Sequence, residues 1–151
     1  MGIEYYLVDR TNKRQFDLGK GKGNWTVGFG DAPCIVEARS PIDLRGRLAA
    51  AWDATHTVGR DWAEFLDGLT VDVWAFILSA GGTVWFADEN EYDWEQLRTV
   101  GSRYENDEDV QPDPLAETVA WHREEARAIL GEFGPAKAVA DGPAWVLRCD
   151  K

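Results

Sequence analysis

The sequence predicts an α+β fold: a mixed or antiparallel sheet of about four to six short strands packed by about four to five helices. Three observations lead there. Segments of strand-like alternation lie at both ends of the chain and near its middle, separated by segments with apolar residues every three or four positions. Their order, several strands, then helices, one strand, two helices and a last strand, lacks the regular βαβ alternation of a doubly wound sheet. With 151 residues and 44% hydrophobic side chains, residues 1–151 read as a single domain that can build a core without a metal or disulfide.

Ile3–Asp9, IEYYLVD, is rich in β-branched and aromatic residues and reads as a strand. The turn residues DRTNK follow it, and residues 14–18 alternate as a return strand, giving a hairpin. GKGKG, residues 19–23, is a basic glycine-rich loop without the spacing or the Ser/Thr of a phosphate-binding P-loop. Trp25, Val27 and Phe29 share one face of an expected third strand, and residues 34–38 form a fourth.

Ser40, Pro41 and Asp43 signal a helix start, with Leu44, Leu48 and Trp52 as its buried stripe, reaching His56 one turn on. Residues 60–69 repeat the pattern through Trp62, Phe65, Leu66 and Leu69, with Gly68 near the end. Thr70 then caps the central helix, whose wide apolar face is Val73, Trp74, Ile77 and Leu78 and whose stop is Gly81-Gly82. Alternation of Val71, Val73, Ala75 and Ile77 also fits a strand, but the glycine pair and the better strand at 83–87 favour a helix.

Asp93 caps an expected short helix to about Gly101 that buries Trp94 and Leu97. Pro114 opens the last helix, to about Gly131, with Leu115, Val119, His122, Ala126 and Ile129 on one stripe. Residues 144–149 form a final strand expected to join the N-terminal hairpin.

Charge is the most informative global feature. The formal net charge is −11, and residues 51–113 carry 15 of the 27 acidic side chains but only 3 of the 16 basic ones. So negative a chain is repelled by nucleic-acid phosphates and anionic membranes, which argues against both as partners. No apolar run approaches the length of a membrane span, and the first residues lack the basic start and apolar middle of a signal peptide, so a cytoplasmic location is expected. Cys34 and Cys149 show no metal-ligand or CxxC spacing and read as buried thiols.

No stretch carries a specific catalytic, metal or cofactor motif. The acidic loop from Asp88 has Asp93 where a calcium-binding EF-hand needs glycine and Thr99 where it needs glutamate. His122 has Thr118 and Ala126 one turn away, so no second metal ligand shares its face. What remains is a candidate binding surface. Its first acidic patch is Asp88, Glu89, Glu91 and Asp93; its second is Glu105, Asp107, Glu108 and Asp109; Tyr92 and Tyr104 are the aromatic anchors. Solvated turns account for the same residues without any partner.

YYLVDRTNKRQFDLGKG, residues 5–21, and AFILSAGGTVWFADENE, residues 75–91, resemble segments of small uncharacterised bacterial proteins. That resemblance implies a bacterial origin and a stand-alone domain, and it carries no functional residues with it.

The expected function is an acidic non-catalytic binding protein of the immunity or inhibitor type, which covers a basic surface on a bacterial toxin or effector. A small enzyme or ligand-binding domain drawing on His56 or His122 and a carboxylate is the alternative from another class. A structural, self-assembling subunit is the third.

Overall fold

The computed structural model describes residues 3–21, 38, 40–51, 61–81, 84–88, 97–104 and 107–132. Strands β1 (Ile3–Asp9) and β2 (Arg14–Gly21) form the expected antiparallel hairpin, with Leu7 opposite Phe16 and Asp9 opposite Arg14. The turn is fixed by its own side chains. Asp9 accepts hydrogen bonds from the backbone N–H of Asn12 at 3.1 Å and from its side-chain amide at 2.9 Å, and Lys13 takes the left-handed conformation at φ 54°. β2 runs past the expected end at Leu18 because a bulge there, with Gly19 at φ +75°, lets pairing resume with Tyr5.

β3 (Trp85–Asp88) lies antiparallel to β1, and β4 (Arg98–Ser102) lies parallel to β2, giving a mixed sheet in the order β3-β1-β2-β4. β4 corrects the expected helix ending near Gly101. Thr99, Val100 and Gly101 favour extended backbone over helix. Tertiary bonds then fix the strand: Arg98 N–H donates to the Lys13 carbonyl, Gln111 N–H to that of Thr99, and the Gln15 amide to the Thr99 hydroxyl.

Helix α1 (Pro41–Ala51) begins as its sequence signals: the Ser40 hydroxyl accepts the Asp43 N–H at 3.1 Å. Helix α2 (Trp62–Ser79) is one helix where two are expected. Gly68 does not end it, and Thr70 does not cap a second one, because the Thr70 hydroxyl donates back to the Leu66 carbonyl and the helix continues through it. The true cap is Asp61, whose carboxylate accepts the N–H groups of Ala63 and Glu64. Gly81, at φ +81°, stops the helix where the glycine pair predicts. Helix α3 (Ala116–Glu132) starts two residues after Pro114, with Asp113 accepting the Leu115 N–H at 2.8 Å.

Among the described residues the fold is thus α+β with four strands and three helices, slightly fewer than expected. The merged α2 and the strand over the later part of the expected helix account for the difference; the first residues of that helix, 93–96, lie outside the described residues. The expected strands at 25–29 and 144–149 and most of that at 34–38, together with Trp52, Trp94, Cys34 and Cys149, lie outside the described residues.

The core forms where α2 covers one face of the sheet. Leu7, Phe16, Leu18 and Phe86 supply the sheet side; Leu66, Leu69, Val73, Trp74, Phe76 and Ile77 supply the helix side; Leu44 and Leu48 of α1 and Ala126 of α3 close the edges. The Val, Leu, Ile and Phe side chains among them contribute about 1.5–3 kcal/mol each by burial. A buried ion pair, Arg14 with Asp9, lies beside them. Arg14, 0% exposed, donates to Asp9 at 2.9 and 3.0 Å, to Asp113 at 2.8 Å and to the Ser79 hydroxyl at 2.9 Å, and its guanidinium lies 4.7 Å from the centre of the Phe76 ring. This network ties the hairpin to the end of α2 and the start of α3.

Candidate functional site

β4, α2 and α3 converge on a cleft of about 340 Å³. Its floor follows from one pairing in the sheet. Gly101 sits opposite Phe16, and a Cβ at that position would collide with Cε2 and Cδ2 of the Phe16 ring, so only glycine lets the ring lean over β4. Phe76 from α2 meets Phe16 at a tilted 5.9 Å, and Val100, Val119 and the exposed Val110 complete the apolar walls.

Polar groups line the cleft as well. Asp72 on α2 accepts a 3.0 Å hydrogen bond from Arg123 Nε on α3, a partly exposed ion pair that bridges the two helices. Ser102, Tyr104 and Asp107 also line the cleft. A second depression of about 280 Å³, bordered also by Phe65, Leu69 and Arg103, shares Asp72, Ser102 and Tyr104 with the first.

Tyr104 is 40% exposed yet held at three points. Its N–H donates to the Ser102 hydroxyl, its own hydroxyl accepts the Lys20 N–H at 3.2 Å, and the Arg103 guanidinium lies 4.9 Å from its ring centre. Beyond it the chain turns back: Asp107 Oδ1 accepts the Asp109 N–H at 2.9 Å, the Asp107 carbonyl accepts from Val110, and Gln111 rejoins Thr99. Local Asx-turn chemistry thus presents Asp107 to the cleft and leaves Glu108 and Asp109 exposed on the turn.

Electrostatics behind the rim are perturbed. Burial pushes the Asp17 carboxyl up from 3.8 to about 6, against the Gly19 N–H that it accepts; the carboxylates of Glu4 and Asp107 push it further, and Arg103 pulls it down. Burial lowers the pKa of Arg103, while Tyr104 and Asp17 oppose that shift.

Of the site residues expected from sequence, Tyr104 and Asp107 line this cleft and Glu108 and Asp109 flank it. Asp88 ends β3, where its backbone pairs with Tyr5. Glu89, Glu91, Tyr92, Asp93, Glu105 and His56 lie outside the described residues. His122 sits on α3 with its Nδ1 3.8 Å from Glu125 and its ring edge-on to the exposed Trp121. It does not line the cleft. Among the described residues no group of three or more His, Cys, Asp or Glu side chains is placed to hold a metal ion, and no helix is long and apolar enough to cross a membrane.

The cleft also recruits residues that the sequence does not mark as a site: Phe16, Asp72, Phe76, Val119 and Arg123. One signal was present, since Asp72 is a lone acid within the apolar run LTVDVWAF. No protein-family model, curated protein or solved structure matches this chain.

Proposed function

We propose that the protein is a non-catalytic binding domain of the immunity or inhibitor type, which engages a basic protein partner, a bacterial toxin or effector, through the cleft and the turn that follows Tyr104. The observation that carries this reading is the junction of three features in one place: a cleft that mixes apolar and charged side chains, an exposed but anchored tyrosine, and the carboxylates of Asp107, Glu108 and Asp109. Interfaces commonly combine a desolvated aromatic anchor with a polar rim, and negative rim charge accelerates encounter with a cationic partner. The chain's net charge of −11 acts in the same direction.

The test is affinity capture from the organism that encodes the protein, run in parallel with wild type and a D107N/E108Q/D109N variant. A stoichiometric basic protein retained by wild type, released by salt and lost with the variant supports the reading. Equal retention by both proteins contradicts it.

A further inference from the structure

We infer that the cleft receives a single arginine side chain from the partner, its aliphatic stem along Phe16, Val100 and Val119 and its guanidinium on the carboxylate of Asp107. The inference rests on the binding reading above and specifies what the partner must present. Size is the first argument. At about 340 Å³ the cleft is at the small end of the roughly 300–1,000 Å³ typical of ligand pockets, so it suits one long side chain better than a cofactor.

Chemistry is the second argument. Long cationic side chains lay their methylene stems on apolar surface and carry the charge to a polar group, and this cleft is lined by Phe16, Val100 and Val119 together with the carboxylates of Asp72 and Asp107. Asp72 and Arg123 already neutralise one another there, so Asp72 displays the kind of contact the cleft makes while contributing no free charge. Asp107 differs. None of the ion pairs among the described residues includes it, and the Asp109 N–H occupies Oδ1, leaving Oδ2 for a donor.

Arginine is favoured over lysine by the rings. Phe16, Phe76 and Tyr104 all border the cleft. A planar, weakly hydrated cation tolerates such an aromatic, half-closed site better than a strongly hydrated ammonium.

The experiment is an NMR titration of the isotopically labelled protein with blocked glycine-rich peptides carrying one arginine, one lysine or one citrulline, the neutral isostere of arginine. The expected result is saturable movement of the amide signals of Val100, Gly101, Ser102 and Val119 with the arginine peptide. Loss of a charged hydrogen bond should weaken binding by about tenfold or more, both for citrulline and for Asp107→Asn. Asn at 107 keeps the oxygen that accepts the Asp109 N–H, and the variant's own spectrum reports its fold. Equal responses to arginine and citrulline, or an unaltered affinity in Asp107→Asn, overturn the inference. Movement confined to Glu108 and Asp109, alike for arginine and lysine, overturns the cleft assignment but leaves the acidic-surface reading standing. No response to either cationic peptide counts against both.

Discussion

The Phe16 ring on β2 occupies the space that a side chain at position 101 of β4 would need, so the glycine and the ring together make the floor of the cleft. Neither residue stands out by itself in the sequence. Their relation exists only because β4 pairs in parallel with β2, in a register that puts Gly101 beside Phe16.

Gly101→Ala should therefore destabilise the protein. The added methyl meets a core ring that also packs on Phe76, and overpacking of this kind costs about 1–3 kcal/mol. Urea denaturation of the two proteins checks it. An unchanged midpoint would mean that the Phe16 ring moves aside freely.

Arg14→Met should cost more, about 3–5 kcal/mol, because it strands the Asp9 carboxylate, which is 0% exposed, and deprives Asp113 of its partner. Arg14→Lys keeps the charge but cannot supply the donors that reach Asp9, Asp113 and Ser79 together, so it should fall between Met and wild type. If Arg14→Met unfolds at the wild-type midpoint, the network is not what joins the hairpin to the helices.

Asp17 gives a pH dependence of defined sign. Its pKa is raised on folding from 3.8 to about 6, so between those values the folded state binds more protons than the unfolded one, and stability falls as pH rises through this window. Below about pH 4 the penalty is absent; above about pH 6 it is complete. The full shift corresponds to about 3 kcal/mol, reduced by partial solvent screening to about 1–2 kcal/mol. Asp17→Asn, which keeps an acceptor for the Gly19 N–H, should be more stable than wild type by that amount at pH 7 and equal to it near pH 4. Denaturation midpoints at the two pH values decide the matter, and a pH-independent difference would refute this account.

Asp61→Ala should cost about 1 kcal/mol, since it removes the acceptor of two N–H groups at the start of the central helix. Thr70→Ala should cost less than a lost cap would, because position 70 lies inside the helix. Melting temperatures of the pair test whether residues 62–79 form one helix; a larger loss at Thr70 would favour two.

Features with local causes were legible in the sequence. The hairpin follows from β-branched and aromatic residues around a polar turn, α1 from Ser40 and Pro41, and the end of α2 from Gly81. Features fixed by distant partners were not. Thr70, like Asp61, is of a residue type that caps helices, and only the unbroken helix from Trp62 to Ser79, with the Thr70 hydroxyl donating to the Leu66 carbonyl, shows that it is internal. The segment at 98–102 becomes a strand because Lys13, Gln15 and Gln111 bond to it, and none of these is a neighbour in sequence. The site divides the same way. Tyr104 and Asp107 could be chosen by type and setting, whereas the cleft they border depends on Phe16, Asp72 and Arg123 arriving from three other elements.

The most direct measurement of the central claim is the association rate of the captured basic partner with wild type and with the D107N/E108Q/D109N variant, from low to high salt. If the acidic turn steers and anchors a cationic partner, the wild-type rate falls steeply with salt, the variant binds more slowly at low salt, and the two converge at high salt. Equal rates with equal salt dependence would contradict the account.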